Sequence, residues 1–413
     1  MRLLITNNEN VLMLGAGGTG KTEVIKAVRD VCQSPLWRRP IATTALTGCA
    51  ALLIEGKTLH SWAGIKLAKE SPQELVSTMK KHAKQSWTQK NLLLVIDEIS
   101  MMSAELLDKL DAIAKILRRS SLPFGGLQVL ASGDFLQLPP IKAKYCFKAA
   151  CFNDVFAPAN RGQLTVNFRQ GADLVYQRIL TNMRVGALTQ EDIQVLRTRL
   201  HARLPESMPA MHVYPHRKKV EALNAEKMAA LQGEEHVYEH VFEVDSSVSR
   251  LVSAAERSAL EAQLAAAPCE ARLVLKVGAV VMHVTNSTPN NCDYPKVNGS
   301  LGVVQSFDAK TNFPIVAFSD GDVCRVDPAT WRTACKTLTR IQIPLIVAWA
   351  VTSHKIQGST LDAAVMDIAN CFELNQAYMI FARVKSLDGV FLVSFDPSVI
   401  KPCPEALQFY QSL

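Results

Sequence analysis

The stretch from Val11 to Val28 limits what this chain can fold into more than any other: VLML, then GAGGTGKT, then EVIKAV. The short apolar run predicts a buried parallel strand, and Val24, Ile25 and Val28 at helical spacing predict a helix behind it. Between them Gly15, Gly17, Gly18 and Gly20 permit the tight path that turns backbone N–H groups onto phosphate oxygens at a helix N-terminus, with Thr19 inside the same loop. Lys21 is placed to reach β- and γ-phosphates, and the Thr22 hydroxyl to ligate Mg²⁺. The pattern G-x-x-x-x-G-K-[ST] arises by chance in roughly one chain of this length in a hundred. A nucleotide-binding α/β domain is the expectation. The competing reading is a glycine-rich turn that only closes a βα unit.

NLLLVIDEIS carries the second strong signal, a continuous apolar strand ending in Asp97 and Glu98. A phosphate loop needs acids across the neighbouring strand end, one to hold Mg²⁺ and the next to polarise the attacking water. Asp97 and Glu98 suit those roles in that order, and the adjacent pair argues for NTP hydrolysis. LQVLASGD repeats the strand-then-polar pattern and runs into FLQLPP, where Gln137 is placed to sense the γ-phosphate. Arg169 in LTVNFRQ is a candidate arginine finger, its alternative a structural ion pair. Arg383 stands on the otherwise apolar segment AYMIFARVKS, where an unpaired cation is costly and a phosphate or carboxylate partner is implied.

Other segments carry weaker signals. GKTLHSWAGI gathers Thr58, His60, Ser61 and Trp62 on one loop, suited to phosphate contact and base stacking or, equally, to a tryptophan plugging a core edge. IPLIVAWAVTSHKIQGSTLD places Thr352, His354, Lys355, Gln357 and Gly358 after a strand. Residues 66–90 read as polar surface with a short helix around Pro72 to Lys81. Ser103 is placed to cap a helix with Leu106, Leu110, Ile113 and Leu117 on one face. SAAERSALEAQLAAA reads as a surface helix, and β-rich runs between Lys296 and Arg340, with an Asp320-Gly321 hairpin, predict a small inserted barrel.

A length of 413 residues predicts two to three domains, and 48% hydrophobic with 20% charged residues excludes disorder. The net charge of +7 favours a polyanionic partner. Ten scattered cysteines without C-x-x-C spacing suggest neither a zinc finger nor a disulfide scaffold, and reduced thiols fit best. No stretch has transmembrane length or presequence character, so no membrane partner is expected. The phosphate loop begins so near Met1 that the chain reads as a short form or an excised core.

In this order the motifs resemble those of the petite-integration-frequency (PIF-type) helicases, the 5′-to-3′ branch of helicase superfamily one that includes RecD-like proteins. The matching segments are GAGGTGKT, TGCAALLIEGKTLHSWAGI, VIDEISMMSAELLDKLDAIAKILR, GDFLQLPP, LTVNFRQ, VNGSLGVV, VTSHKIQGSTLD and AYMIFARV, spanning almost the whole chain. Three departures stand out: MRLLITNNEN does not clearly show the L-N-x-x-Q character of the adenine-contact segment, Ala382 stands where a serine is usual, and the stretch between Trp62 and Trp87 is short, so a minimal wedge is expected.

The resemblance implies an α/β fold of two RecA-like P-loop NTPase domains with parallel sheets, a small wedge insert and an SH3-like β-barrel insert. Its expected bounds are 1–160 for the first domain with the wedge at about 63–85, 161–295 and 341–413 for the second, and 296–340 for the barrel. It implies ATP and Mg²⁺ in the cleft between the domains. Catalysis would fall to Lys21, Glu98, Gln137, Arg169 and Arg383, metal binding to Thr22 and Asp97, with Gly358 among the nucleotide contacts. Thr47, Gly48, His60, Ser61, Trp62, His354, Lys355 and Gln357 would line a single-stranded DNA groove or couple it to ATP. The implied function is an ATP-dependent DNA helicase moving 5′ to 3′ on single-stranded DNA and unwinding tailed or forked duplex. The alternatives are a DNA-stimulated translocase or protein-displacing ATPase, and an ATP-switched nucleic-acid-binding scaffold. A monomer inside the cell is expected, in the nucleus first, with mitochondrion or cytoplasm compatible. Repair, recombination, replication and telomere maintenance all remain open.

Overall fold

The computed structural model describes every residue except 1–3, 5, 48–49, 52–53, 66–67, 69, 201, 205–210, 245–256, 259, 262–263, 265–268, 286, 288–295, 297–298, 333–337 and 357–358. The chain divides into two compact units: Met1–His201 with Ile368–Val390 and Ser394–Leu413, and Ala202–Asp367 with Phe391–Val393. Segments 161–201 and most of 368–413, expected in the second domain, thus cluster with the first unit.

The first unit is built on a six-stranded sheet. Its strands are β1 (Val11–Gly15), β2 (Ile41–Ala45), β3 (Lys57–Thr58), β4 (Leu93–Asp97), β5 (Gln128–Gly133) and β6 (Arg161–Leu164), in the order β3-β2-β4-β5-β1-β6. Every pairing is parallel. β4 and β5 are buried along their whole length, as their apolar runs require of strands covered on both faces. This parallel α/β sheet brings the C-terminal ends of β1, β4 and β5 to one edge, where open sheets of this kind bind ligands.

Helix α1 (Lys21–Gln33) follows β1 and buries Ile25, Val28 and Cys32, with Val24 half-buried against the same core. A five-residue helix, α2 (Leu59–Ala63), comes next, then α3 (Pro72–Thr78), α4 (Lys81–Thr88) and α5 (Ala104–Arg118). Ser103 caps α5 by accepting from the Leu106 N–H at 3.1 Å. The buried face of α5 is Leu107, Leu110, Ile113 and Ala114, while Leu106 and Leu117 flank it half-buried. The face is therefore turned slightly from the one the spacing predicts.

The polar segment 66–90 differs more. It holds two helices, α3 closed by a Ser71–Glu74 capping box, and it sends Leu75, Met79, Ala83 and Trp87 into the core of the first unit. Trp87 is fully buried and donates its indole N–H to the Ala63 carbonyl at 3.1 Å. Gly64, at φ +69°, lets the chain pass there, since a Cβ would stand 2.7 Å from that of Ala83. The unit is completed by α6 (Leu174–Val185), α7 (Gln190–Arg197), α8 (Gln376–Phe381) and α9 (Pro404–Gln411).

The second unit contains a four-stranded sheet of β7 (Met211–Tyr214), β18 (Ala350–Thr352), β19 (Ala364–Asp367) and β20 (Val390–Ser394), ordered β18-β7-β19-β20, with β7 parallel to β18 and β19. Between β7 and β18 lie antiparallel pieces. β8 (His236–Glu239) pairs with β10 (Arg272–Leu275), and β9 (Val241–Val244) joins β15 (Ala329–Arg332) and β16 (Leu338–Gln342). β11 (Val280–His283), β12 (Leu301–Phe307), β13 (Pro314–Phe318), β14 (Val323–Arg325) and β17 (Leu345–Val347) form a five-stranded sheet. The β13–β14 hairpin turns at Asp320-Gly321, with Gly321 at φ +96°. The antiparallel region is wider than the expected 296–340, because β11 and β17 close one side of it from outside that span.

The alanine-rich segment 253–267 lies largely outside the described residues. Cys324 is disulfide-bonded, which corrects the expectation of reduced thiols throughout, whereas Cys32, Cys146, Cys151, Cys269 and Cys403 are reduced. Among the described residues no helix is long and apolar enough to cross a membrane.

Candidate active site

The loop after β1 adopts the path its glycines allow. Gly18 and Gly20 sit at φ +84° and +82°, and Gly20 is the N-cap of α1. A Cβ on Gly18 would fall 2.6 Å from that of Arg169, and one on Gly15 would fall 2.5 Å from the Thr19 hydroxyl oxygen. The Lys21 ammonium curls back over the loop and donates to the Gly15 and Ala16 carbonyls at 2.8 and 2.9 Å. Burial lowers the Lys21 pKa from the ordinary lysine value, opposed by the charges of Asp134, Glu98 and Asp97.

Asp97 and Glu98 close β4, both buried. Burial first, and then the charge of Glu98, raise the Asp97 carboxyl well above the usual carboxylate range. Glu98 stands in the left-handed region at φ 56°, a conformation that costs a non-glycine residue about 1 kcal/mol or more. Its Oε2 is buried without a hydrogen-bond partner. Together with the Thr22 hydroxyl these carboxylates are the hard oxygen donors that a Mg²⁺ ion takes, so the residues present fit that ion.

Gln137, buried past the end of β5, accepts from the Arg383 guanidinium, Nη2 to Oε1 at 2.6 Å. Arg383 is itself buried, its Nε has no partner, and desolvation lowers its pKa against the pull of Glu98, Tyr378 and Asp134. Arg169 donates from Nη1 to the Ala382 carbonyl at 2.7 Å. Burial and the neighbouring Arg383 push its pKa down to about 9. Lys21, Asp97, Glu98, Gln137, Arg169 and Arg383 thus share one environment inside the first unit.

Four participants escape sequence reading. Asp134, fully buried, accepts from Arg184 Nη2 at 2.7 Å and from the Tyr410 hydroxyl at 2.8 Å, and it lowers its own pKa through that pairing despite desolvation. The Tyr378 hydroxyl accepts from the Gly17 N–H at 3.4 Å. Asp134 had a signal, an acid at the end of an apolar strand just as at Asp97. Tyr378 shared a motif with Arg383, whereas Arg184 and Tyr410 had no local mark. Phe168 lies against Gly20 with its ring 71% exposed.

The residues expected to meet DNA are placed as follows. Thr47 accepts from the Ala50 N–H at 3.2 Å. Thr58 caps α2 by accepting from the Ser61 N–H at 3.3 Å; Ser61 is exposed and His60 half-buried, its pKa lowered by desolvation. Trp62 packs its ring 4.7 Å from that of Trp87. Lys355 is exposed on a 3-10 turn, Ser353–Ile356, of the second unit. Gly48, Gln357 and Gly358, and the side chain of His354, lie outside the described residues.

The model of the PIF1-like helicase family matches residues 2–172. The ATP-dependent DNA helicase PIF1 of Xenopus laevis is 32% identical over 425 residues, covering 99% of this chain and 62% of that protein, so the chain spans less than two thirds of its length. Pif1 helicase from Candida albicans is 30% identical, with a TM-score of 0.82 over 99% of this chain and 96% of that one. Pif1 from Bacteroides, solved in complex with ADP-AlF3 and ssDNA, is 25% identical with a TM-score of 0.70. With the phosphate loop, the paired acids and the Gln137–Arg383 contact held in the two-RecA-domain α/β fold of these structures, the chain belongs to the PIF1-like helicase family.

Proposed function

We propose that this chain is an ATP- and Mg²⁺-dependent DNA helicase that loads on single-stranded DNA, moves 5′ to 3′ and unwinds tailed or forked duplex. The observation that carries the reading is the buried arrangement in which Arg383 reaches Gln137 while Glu98 Oε2 and Arg383 Nε keep open valences. Buried charges with unused hydrogen-bonding capacity suit a highly charged ligand. The names of the relatives support the rest, as does the Bacteroides protein bound to ADP-AlF3 and ssDNA. In this reading the two RecA-like domains are built on the parallel sheets of the two units, with a wedge at about 63–85 and a barrel among the antiparallel strands around 296–340.

In this mechanism the loop amides from Gly15 to Thr22 receive the phosphates, and the Lys21 ammonium leaves the Gly15 and Ala16 carbonyls for the β- and γ-phosphates. Glu98 accepts a proton from the attacking water. Gln137 reports the γ-phosphate through its amide, and Arg383 and Arg169 take up the negative charge that grows in the transition state. Thr22 and Asp97 would hold Mg²⁺, which would supply charge that offsets the negative phosphate oxygens. The exposed Phe168 ring beside Gly20 offers a stacking face for the base. Thr47, Gly48, His60, Ser61, Trp62, His354, Lys355 and Gln357 are assigned to the DNA path, with Trp62 stiffened by Trp87.

The test is ATP-dependent unwinding of one duplex carrying a 5′ or a 3′ single-stranded tail, with Lys21→Ala as the control. Unwinding from the 5′ tail alone, lost in Lys21→Ala, is the expected result. Hydrolysis without strand separation would favour the translocase reading, and unwinding from the 3′ tail alone would overturn the polarity.

A further inference from the structure

Arg383 is aimed by its neighbours. It follows α8 directly, where a helix C-terminus leaves its last carbonyls without intrahelical donors. Three of the carbonyls around it receive side-chain donors from one short stretch. The Tyr176 hydroxyl donates to the Phe381 carbonyl at 2.8 Å, Arg169 Nη1 to Ala382 at 2.7 Å, and Gln170 Nε2 to Val384 at 2.6 Å. The backbone is therefore pinned on both sides of Arg383. The pins are themselves rigid: Gln170 and Tyr176 are buried, the Gln170 N–H donates to Asn167 Oδ1 at 3.2 Å, and its carbonyl accepts from Gln177 Nε2 at 2.9 Å.

The Phe381 carbonyl already accepts from the Val384 N–H at 3.1 Å, and satisfying the other two would be reason enough for such bonds. Their placement goes further. Gln170 and Tyr176 bracket Arg383, whose guanidinium reaches Gln137, and carry no charge of their own. We propose that Gln170 and Tyr176 are positioning residues that hold Arg383 in its catalytic direction. The proposal rests on the reading of Arg383 as a transition-state cation. A guanidinium on an unpinned turn would still fill the space but would lose the sub-ångström placement that differential transition-state binding requires.

The experiment measures the affinity of the full chain for a fluorescent ADP with Mg²⁺ and single-stranded DNA, with and without aluminium fluoride, which mimics the transferring phosphoryl group. Native chain, Tyr176→Phe, Gln170→Leu, Arg383→Ala and the two doubles with Arg383→Ala are compared. Tyr176→Phe removes only a hydroxyl and keeps the ring, so it guards against a Gln170→Leu chain that does not fold. The expected result is an ADP affinity within twofold of native in both single variants and a fluoride-induced tightening about tenfold smaller. In the doubles the expected result is no loss beyond that of Arg383→Ala. Native tightening in the single variants, equal weakening of both ligands, or further loss in the doubles would overturn the proposal and leave the function intact. Absence of tightening in the native chain would instead overturn the hydrolysis reading, and this proposal with it.

Discussion

Two regions bury charge, and they finish it differently. Around the phosphate loop, Glu98 Oε2 and Arg383 Nε are buried without partners. In the second unit the fully buried Lys296 ammonium has Asp320 and Asp322 each at 2.6 Å and lies over the Phe318 ring, 5.2 Å from its centroid. His283 beside it is bonded through Nδ1 to the Thr285 carbonyl at 2.7 Å and through Nε2 to Ser287 at 3.3 Å. A closed set of charges stabilises a fold, and an open one is completed by a ligand. The comparison separates a site from a structural corner more sharply than burial alone, since Glu98, Arg383 and Lys296 are all buried.

The largest effect should come from the open set. Glu98→Gln keeps the shape but removes the base, and ATP hydrolysis should fall by about three orders of magnitude, on the order of 4 kcal/mol in the barrier. Because Glu98 raises the Asp97 pKa by repulsion, the melting temperature should not fall. A large drop in melting temperature would show Glu98 to be a structural charge and break the distinction. Lys296→Met tests the other side. It should cost about 3 kcal/mol by urea midpoint, the low end for a broken buried pair because Asp320 is half-exposed, with hydrolysis per folded molecule unchanged.

The difference between the regions also explains what could be read in advance. The β1–α1 unit, the Ser103 cap, the acids ending β4 and the Asp320-Gly321 hairpin depend on neighbours within a few residues, so local pattern sufficed. Trp87 did not reveal its burial because it sits in a lysine-rich segment whose apolar residues are spread over two short helices. The partners of Asp134 come from Arg184 and Tyr410, 50 and 276 residues away, and no local spacing encodes them. Arg169 was legible as a cation near the loop, but its engagement with the Ala382 carbonyl is set by a fold-level approach. β11 and β17 extend the antiparallel sheet beyond 296–340 for the same reason: their pairing is long-range.

A third effect is smaller and depends on pH. Burial first, and then the Lys296 charge, push the His283 pKa down from 6.5 to about 4, against the pull of its bond to the Thr285 carbonyl. The carboxylates of Asp320 and Asp322 face Lys296 in the same corner. The folded His283 stays neutral where the unfolded one binds a proton, so its stability contribution is complete above pH 6.5 and is lost as pH falls toward 4. By pH 5 the loss should reach about 2 kcal/mol. Urea midpoints at pH 7 and 5 should differ by this amount more, in the direction of loss at pH 5, in the native chain than in His283→Gln, the opposing titration of Asp97 being common to both. An equal difference in the two chains would mean that the corner is not closed around a neutral imidazole.

Asp134 tests the distinction at its boundary, since it lies among the open charges but is finished like the closed ones. It accepts from Arg184 through both Nη2 and Nε, from the Leu136 N–H and from Tyr410 on α9. Removing one donor from so well supplied a carboxylate leaves three, so Tyr410→Phe should cost about 1 kcal/mol, less than a charge-assisted bond usually contributes. The phenyl ring would keep its place under the Arg184 guanidinium, 4.5 Å away in the native chain. Hydrolysis should fall no more than a few-fold. A fall comparable to that of Glu98→Gln, at a nearly native melting temperature, would mean that Asp134 acts on the phosphate site through Lys21, whose pKa its charge raises, and that closed and open charges there form one system.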